Sequence, residues 1–243
     1  MKNVNYNKIA KKVIETEINS LKKLKLNLNK SFEKAVKTIL NCKNGKIVIS
    51  GVGKSGIIGK KISSTLSSVG TPSFFVDASS CSHGDLGQIG FNDVLILISY
   101  SGESSELKNI IQYAKRNKIS LIGIVSKKKS LLYKSSDIKV LIPEVKEADP
   151  NNIVPTSSTI IQLSIGDALA VATMKSRKFT KLDFKKFHPS GSLGAKLKTV
   201  EDLMLTGNKI PFVKEDIFME YALKTLVKKK LGTLIVKNKK GFT

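Results

Sequence analysis

The chain has 243 residues, 41% of them hydrophobic, enough to bury one main core with a smaller module attached. Its formal net charge of +23 arises from 42 Lys and Arg against 19 Asp and Glu, yet the only arginines are Arg116 and Arg177, and the lysines are scattered among Asn and Ile along the whole length. Arg is the residue suited to bidentate phosphate and base recognition, so a dispersed lysine surplus argues against nucleic acid as a partner and leaves a positive field that attracts small dianions.

From Ile9 to Leu28 the apolar residues Ile9, Val13, Ile14, Ile18, Leu21, Leu24 and Leu28 recur every three or four positions. This predicts a helix with one apolar face for the core or a subunit contact. The flanking N-terminal stretch MKNVNYNKIAKK has no apolar run of the signal-peptide kind, and no later run is long enough to span a bilayer. A second helix is expected from Ser31, a suitable N-cap, through Leu40, with Gly45 in the break that follows. Cys42 and Cys81 lack C-x-x-C spacing and offer neither a disulfide framework nor a structural zinc site, which points to a reducing compartment. A soluble, cytoplasmic chain with no membrane partner is expected.

Short β-branched runs then alternate with helical segments. Lys46 to Ser50, Ser73 to Val76, Val94 to Ser99, Leu121 to Val125 and Ile138 to Ile142 read as strands, the strongest apolar on both faces, as buried parallel strands must be. Helices fit Ser55 to Ser68, Ser105 to Asn117 and Ser157 to Lys175. This is the pattern of an α/β domain, a doubly wound parallel sheet flanked by helices, whose ligands bind beyond the carboxyl ends of the strands. Beyond Lys198 an apolar piece at Pro211 to Val213, an amphipathic helix from Asp216 to Lys230, a strand from Thr233 to Val236 and a turn at NKKG read as half of another small α/β unit. A segment of roughly 40 residues is at the limit of independent folding, so it is expected to be disordered, docked or truncated. The expected domains are 1–200 and 201–243.

The loops at the ligand-binding end of the sheet are GVGKSG, DASSCSHGDLG, SYSGESSE and KEADPNNIVPTSST. Gly51, Gly53 and Gly56 fit the dinucleotide fingerprint G-x-G-x-x-G, Gly53-Lys54-Ser55 matches the end of a P-loop, and a sugar phosphate suits the same backbone. The P-loop reading fails on spacing, because Val48 stands where its first glycine is required. Asp77, just past the second strand, keeps the dinucleotide reading open. That reading does not account for SYSGESSE, where Ser99, Ser101, Ser104 and Ser105 cluster around a glycine ahead of a helix. Hydroxyls and free helix N–H groups hold a phosphate dianion without burying another full charge, each charge-assisted bond being worth roughly 1.5–3 kcal/mol. Ser104 or Ser105 alone is well explained as a helix cap, but the cluster exceeds what one cap needs.

Taken in order, GVGKSGIIGKKISSTLSSVGTPSFFVDASSCSHGDLG, SYSGESSEL, KEADPNNIVPTSSTIIQLSIGDALAVA and KFHPSGSLGAKL resemble the motifs of the sugar isomerase (SIS) domain of D-arabinose 5-phosphate isomerases, from about Gly45 to near Lys198. EDLMLTGNKIPFV resembles the entry to the paired CBS modules of those enzymes, the rest of the pair being absent here. The resemblance implies interconversion of D-ribulose 5-phosphate and D-arabinose 5-phosphate through an enediol, the first step toward the lipopolysaccharide sugar Kdo. It also implies a small-molecule sugar phosphate as the partner, no cofactor and a homotetramer with pockets shared between subunits. The implied catalytic set is Lys54, His83, Glu106, Glu147 and His188, and the phosphate set is Gly53, Ser55, Ser99, Ser101 and Ser104. Two positions depart from the family pattern: Tyr100 stands where a smaller Asn is usual, and Asp77 replaces a residue that is more often His.

An aldose–ketose isomerase moves one proton between C1 and C2 and another between their oxygens, so it needs a carbon base, a proton donor at oxygen and fixed charge near the enediolate. No metal or redox cofactor is intrinsically required. Glu106 or Glu147 is the candidate base, with Glu147 preferred, while His188 opens the sugar ring or shuttles the oxygen proton. Lys54 at the strand-to-helix turn reaches phosphate or an enediolate oxygen, although a chain this rich in lysine supplies many solvated ones. Asp85 and Glu103 fit capping as well as catalysis. Thr156, Ser157 and Ser158 are candidates for the sugar pocket, and with Pro155 they also read as a plain helix start. The rival readings are a non-catalytic SIS-type sugar-phosphate-binding regulator and an NAD enzyme resting on Asp77.

Overall fold

The computed structural model describes residues 4–188, 198–238 and 241–242. The chain divides into two compact units, Met1–His188 and Pro189–Thr243.

The first unit opens with α1 (Tyr6–Asn27) and α2 (Lys30–Asn41) and continues with β1 (Ile47–Gly51), α3 (Gly53–Ser68), β2 (Ser73–Asp77), β3 (Val94–Ile98), α4 (Leu107–Arg116), β4 (Ser120–Val125), α5 (Leu131–Ser135), β5 (Ile138–Leu141), α6 (Ser157–Ser176) and α7 (Lys181–Phe187). Its five strands form one parallel sheet in the order β2-β1-β3-β4-β5. β1 and β3 are buried at every position, which is why their sequences show no polar alternation. Successive side chains feed two cores. Ile47, Ile49, Ile96, Ile98 and Ile122 pack with residues of α2, α3 and α6, whereas Val48, Leu95, Leu97 and Leu121 pack with α4. Each fully buried Ile or Leu contributes about 1.5–3 kcal/mol, so the two faces of the sheet hold the layers together.

α3 and α6 approach so closely that a Cβ on Gly166 would lie 2.2 Å from Ile62 Cδ1. Any larger residue at position 166 meets the Ile62 side chain, which must shift to admit it. The exposed Lys61–Asp167 ion pair spans the same two helices but adds little, as surface pairs do. α1 packs on α6 and buries Leu24, and Asn27 Nδ2 donates to Leu141 O at 2.8 Å, which fixes its end against β5. Leu21 packs partly buried against the same core and Val13 is half-buried, whereas Ile9, Ile14, Ile18 and Leu28 of the expected apolar face are exposed.

Helix starts differ from the sequence reading where caps and turns intervene. α2 is capped by Asn29 instead of Ser31, because Asn29 Oδ1 accepts from Ser31 N at 2.8 Å. α4 begins at Leu107, after Leu107 N and Lys108 N close turns on Ser104 O and Ser105 O.

The second unit contains α8 (Val200–Leu203), β6 (Phe212–Lys214), α9 (Met219–Lys229), β7 (Ile235–Asn238) and β8 (Gly241–Phe242). β7 lies between β6, which it pairs in parallel, and antiparallel β8. α9 starts later than Asp216 because Ile217 N turns back to Lys214 O and Phe218 is extended. Among the described residues no helix is long and apolar enough to cross a membrane.

Candidate active site

The sheet order reverses between β1 and β3, since the chain runs from β1 outward to β2 and then returns to β3 on the other side. At such a switch point the flanking loops diverge and leave a crevice beyond the carboxyl ends of the strands. Gly51 is in register with Ile98, so the loops after β1 and β3 start level. A pocket of about 370 Å³ lies among these loops, lined by Lys54 and Ser55 from the turn into α3, Tyr100 from the loop after β3, Glu147 and Asn152 from the segment before α6, and Ser158 and Thr159 from the first turn of α6.

Glu147 is held from both ends. Its backbone N donates to Asn152 Oδ1 at 2.6 Å, and its carboxylate Oε2 accepts from Thr156 N at 2.7 Å, Thr156 Oγ1 at 3.1 Å and Ser158 N at 3.2 Å. The carboxylate thus satisfies N–H groups that α6 leaves free at its start, where a negative charge is also favoured by the helix dipole. Oε1 has no hydrogen-bond partner among the described residues, and Glu147 lines the pocket. Thr156 Oγ1 also accepts from Ala148 N at 2.8 Å. Asp149 orders the next turn by accepting from Asn151 N, Ile153 N and Val154 N. Desolvation works against the Asp149 charge, but the backbone N–H groups of Val154, Ile153 and Asn151 outweigh it and hold the carboxyl below its ordinary range.

Tyr100 joins the loop after β3 to the Glu147 segment. Its hydroxyl accepts from Val145 N at 2.7 Å and donates to Val145 O at 3.2 Å. Burial, opposed by the Val145 N–H and assisted by Glu147 and Glu144, pushes the phenol up, so it stays protonated and keeps its donor. Tyr100 O in turn accepts from Ser126 Oγ at 2.6 Å.

The serine-rich loop is ordered by its own hydroxyls. Ser99 Oγ accepts from Gly102 N at 3.0 Å and lies 3.2 Å from Ser104 Oγ, while Ser101 Oγ accepts from Glu103 N at 3.3 Å. Gly102 has φ +72° and a Cβ there would lie 2.3 Å from Ser130 Oγ, so only glycine closes this turn. Of the expected phosphate residues, Ser55 lines the pocket; Gly53 begins α3 in the left-handed region, and Ser99, Ser101 and Ser104 do not line the pocket.

Lys54 and Glu147 are the members of the expected catalytic set that meet in the pocket. His83 is exposed at the end of the 3-10 segment Ser80–His83. Glu106 is half-buried ahead of α4, its Oε2 accepting from Ser105 Oγ at 3.1 Å. His188 ends α7, with Nδ1 2.9 Å from Phe184 O and its ring stacked on Phe184 at 3.7 Å between centroids. The stretch PSGSLGAKL that follows, residues 189–197, lies outside the described residues. Thr156 holds Glu147, and Ser157 is fully buried, so it is Ser158 and Thr159 that reach the pocket from this run. Asp77 Oδ1 accepts from Ser79 N at 2.9 Å, which accounts locally for the carboxylate on which the dinucleotide reading rests. Cys81 is buried, and that burial, with Asp85 and Asp77, pushes its thiol up to about 11, far from a nucleophilic thiolate at neutral pH.

Sequence reasoning missed the structural use of Tyr100, Asn152 and Thr156. For Asn152 and Thr156 the local signal is an Asn and a Thr flanking a Pro-containing loop, which many turns share, and Tyr100 stood out only as a departure from the family pattern.

The sequence matches the SIS domain family over residues 39–172, more than half of its length. The chain belongs to the SIS domain family. Within that family this SIS chain is 43% identical over 234 residues to "Arabinose 5-phosphate isomerase KdsD" of Yersinia pestis, covering 96% of its own length and 71% of the relative's. It is likewise 43% identical over 233 residues to the protein of the same name from Francisella tularensis, covering 94% of its own length and 71% of the relative's. Among solved structures, an Escherichia coli CFT073 protein in complex with arabinose 5-phosphate superposes with a TM-score of 0.74 at 38% identity, over 78% of this chain and 100% of that one.

Proposed function

We propose that the pocket at the β1/β3 switch point interconverts D-ribulose 5-phosphate and D-arabinose 5-phosphate through an enediol. The chain is an arabinose 5-phosphate isomerase. The observation that carries this is its identity with arabinose 5-phosphate isomerases over nearly the whole chain.

In the forward direction a base removes a proton from C1 of ribulose 5-phosphate, the enediol forms, and a proton is delivered to C2 while the O1 proton is exchanged for one at O2. Glu147 is the carbon base, a role supported by the accessible Oε1 beside a fixed Oε2. Lys54 stabilises the enediolate oxygens. Ser55 is the member of the phosphate set on the pocket wall, and Gly53 beside it and Ser99, Ser101 and Ser104 around pocket-lining Tyr100 complete that set, while Ser158 and Thr159 shape the sugar end and Thr156 acts there through Glu147. His83, Glu106 and His188 act on the oxygen protons and ring opening, in pockets completed by a neighbouring subunit of a homotetramer. The uncovered apolar residues of α1 favour such an assembly. Residues 1–200 form the SIS domain and 201–243 part of a CBS module. Two free cysteines, Cys42 and Cys81, fit a cytoplasmic enzyme whose product feeds Kdo and lipopolysaccharide synthesis.

Turnover of ribulose 5-phosphate in deuterated water tests the reading. Solvent deuterium at C2 of the arabinose 5-phosphate formed is expected without added metal. Thermal stabilisation by arabinose 5-phosphate with neither turnover nor exchange would instead make the pocket a sensor.

A further inference from the structure

Behind the pocket wall, Ser55 Oγ donates to Gln162 Oε1 across 3.0 Å, linking the first turn of α3 to the interior of α6. Gln162 is 1% exposed, and its Nε2 has no hydrogen-bond partner among the described residues. A buried amide group with unspent donors is costly and rare, which marks this position as built for more than packing. Nε2 is buried too deeply to touch a ligand in the pocket, but Ser55 lines the pocket and can.

The pair has two arrangements that differ in the direction of every proton. In one, the Ser55 hydroxyl is committed to Gln162 Oε1, and Ser55 offers the pocket only lone pairs. In the other, the amide is turned over, Nε2 donates to Ser55 Oγ, and the Ser55 proton is free to point into the pocket. A phosphate dianion accepts hydrogen bonds and gives none, so it selects the second arrangement. A chain running from Nε2–H through Oγ–H to a phosphate oxygen is moreover strengthened by mutual polarisation.

We propose that Gln162 is a positioning residue that acts through Ser55: its amide reverses to donate to Ser55 and turns the Ser55 hydroxyl toward the substrate phosphate. The inference rests on the reading of this pocket as the sugar-phosphate site. It places a specificity element in the core of α6, a position no pocket-lining argument would select.

The test uses steady-state kinetics of the full chain with ribulose 5-phosphate, and inhibition by inorganic phosphate, for Ser55→Ala, Gln162→Met and the double variant. Gln162→Met preserves volume and removes both polar atoms; Gln162→Leu, which also has neither donor nor acceptor, stands in if the Met variant does not fold. Gln162→Met is expected to raise KM and the inhibition constant of phosphate about tenfold, the size of one hydrogen bond to a charged group, with kcat within about twofold. In the Ser55→Ala background the same change is expected to add nothing, because its route is already cut. An unchanged KM in Gln162→Met, or effects that multiply in the double variant, overturns the role of Gln162 while leaving the site reading intact. A Ser55→Ala enzyme with unaltered KM and phosphate inhibition removes both.

Discussion

Glu147 divides its oxygens between two tasks, with Oε2 gathering donors from Thr156 and Ser158 and Oε1 left to the pocket. Gln at this position retains an oxygen for those donors, so Glu147→Gln is expected to fold with a melting temperature close to the parent's. As it lacks a base, its kcat is expected to fall by roughly 10²–10⁴ with KM changed less than about threefold. Glu106→Gln measured beside it gives the discrimination: a large kcat loss there, with none at position 147, would move the base to Glu106. Lys54 and Ser55 were readable in the sequence because a glycine-flanked turn after a strand marks them. Tyr100 was visible only as a departure from a family pattern, since a hydroxyl bridging two backbone groups of Val145 leaves no periodicity behind.

Among elements, the strands were the most legible, because full burial on both faces turns β1, β3 and most of β4 into runs of Ile, Leu and Val. Helix starts were less so, since Asn29 and Ser31 are both acceptable caps and only the folded backbone chooses between them. The face of α1 was visible as a stripe, but its partition was not: Leu24 is buried, while Ile9 and Ile14 remain 53% and 55% exposed. If those residues pack against another subunit, introducing charge there breaks the assembly without touching the sheet. The Ile9→Glu, Ile14→Glu double variant is expected to sediment at a lower mass than the parent with unchanged far-UV circular dichroism. Retention of the parental mass would remove α1 from the interface.

At the scale of the whole molecule, the formal charge of +23 favours the approach of the dianionic substrate proposed for the pocket. Long-range attraction of this kind is screened over about 10 Å at 0.1 M salt. KM for ribulose 5-phosphate is therefore expected to rise several-fold, roughly 2–5-fold, between about 20 and 200 mM monovalent salt, with kcat nearly constant. A flat KM would confine the electrostatics to groups at the pocket itself. The dispersed lysines made this field legible from composition alone, whereas the shape of the pocket required the strand order.

That strand order also has a temporal side. The walls of the pocket come from Ser55, Tyr100, Glu147 and Ser158, which meet only after β3 has inserted beside β1 and α6 has docked on α3. Half-assembled chains therefore lack a binding surface altogether, and catalytic recovery during refolding dates the last event of assembly instead of the first. Sugar phosphate supplied during biosynthesis would act only on finished molecules, slowing their loss without hastening their birth.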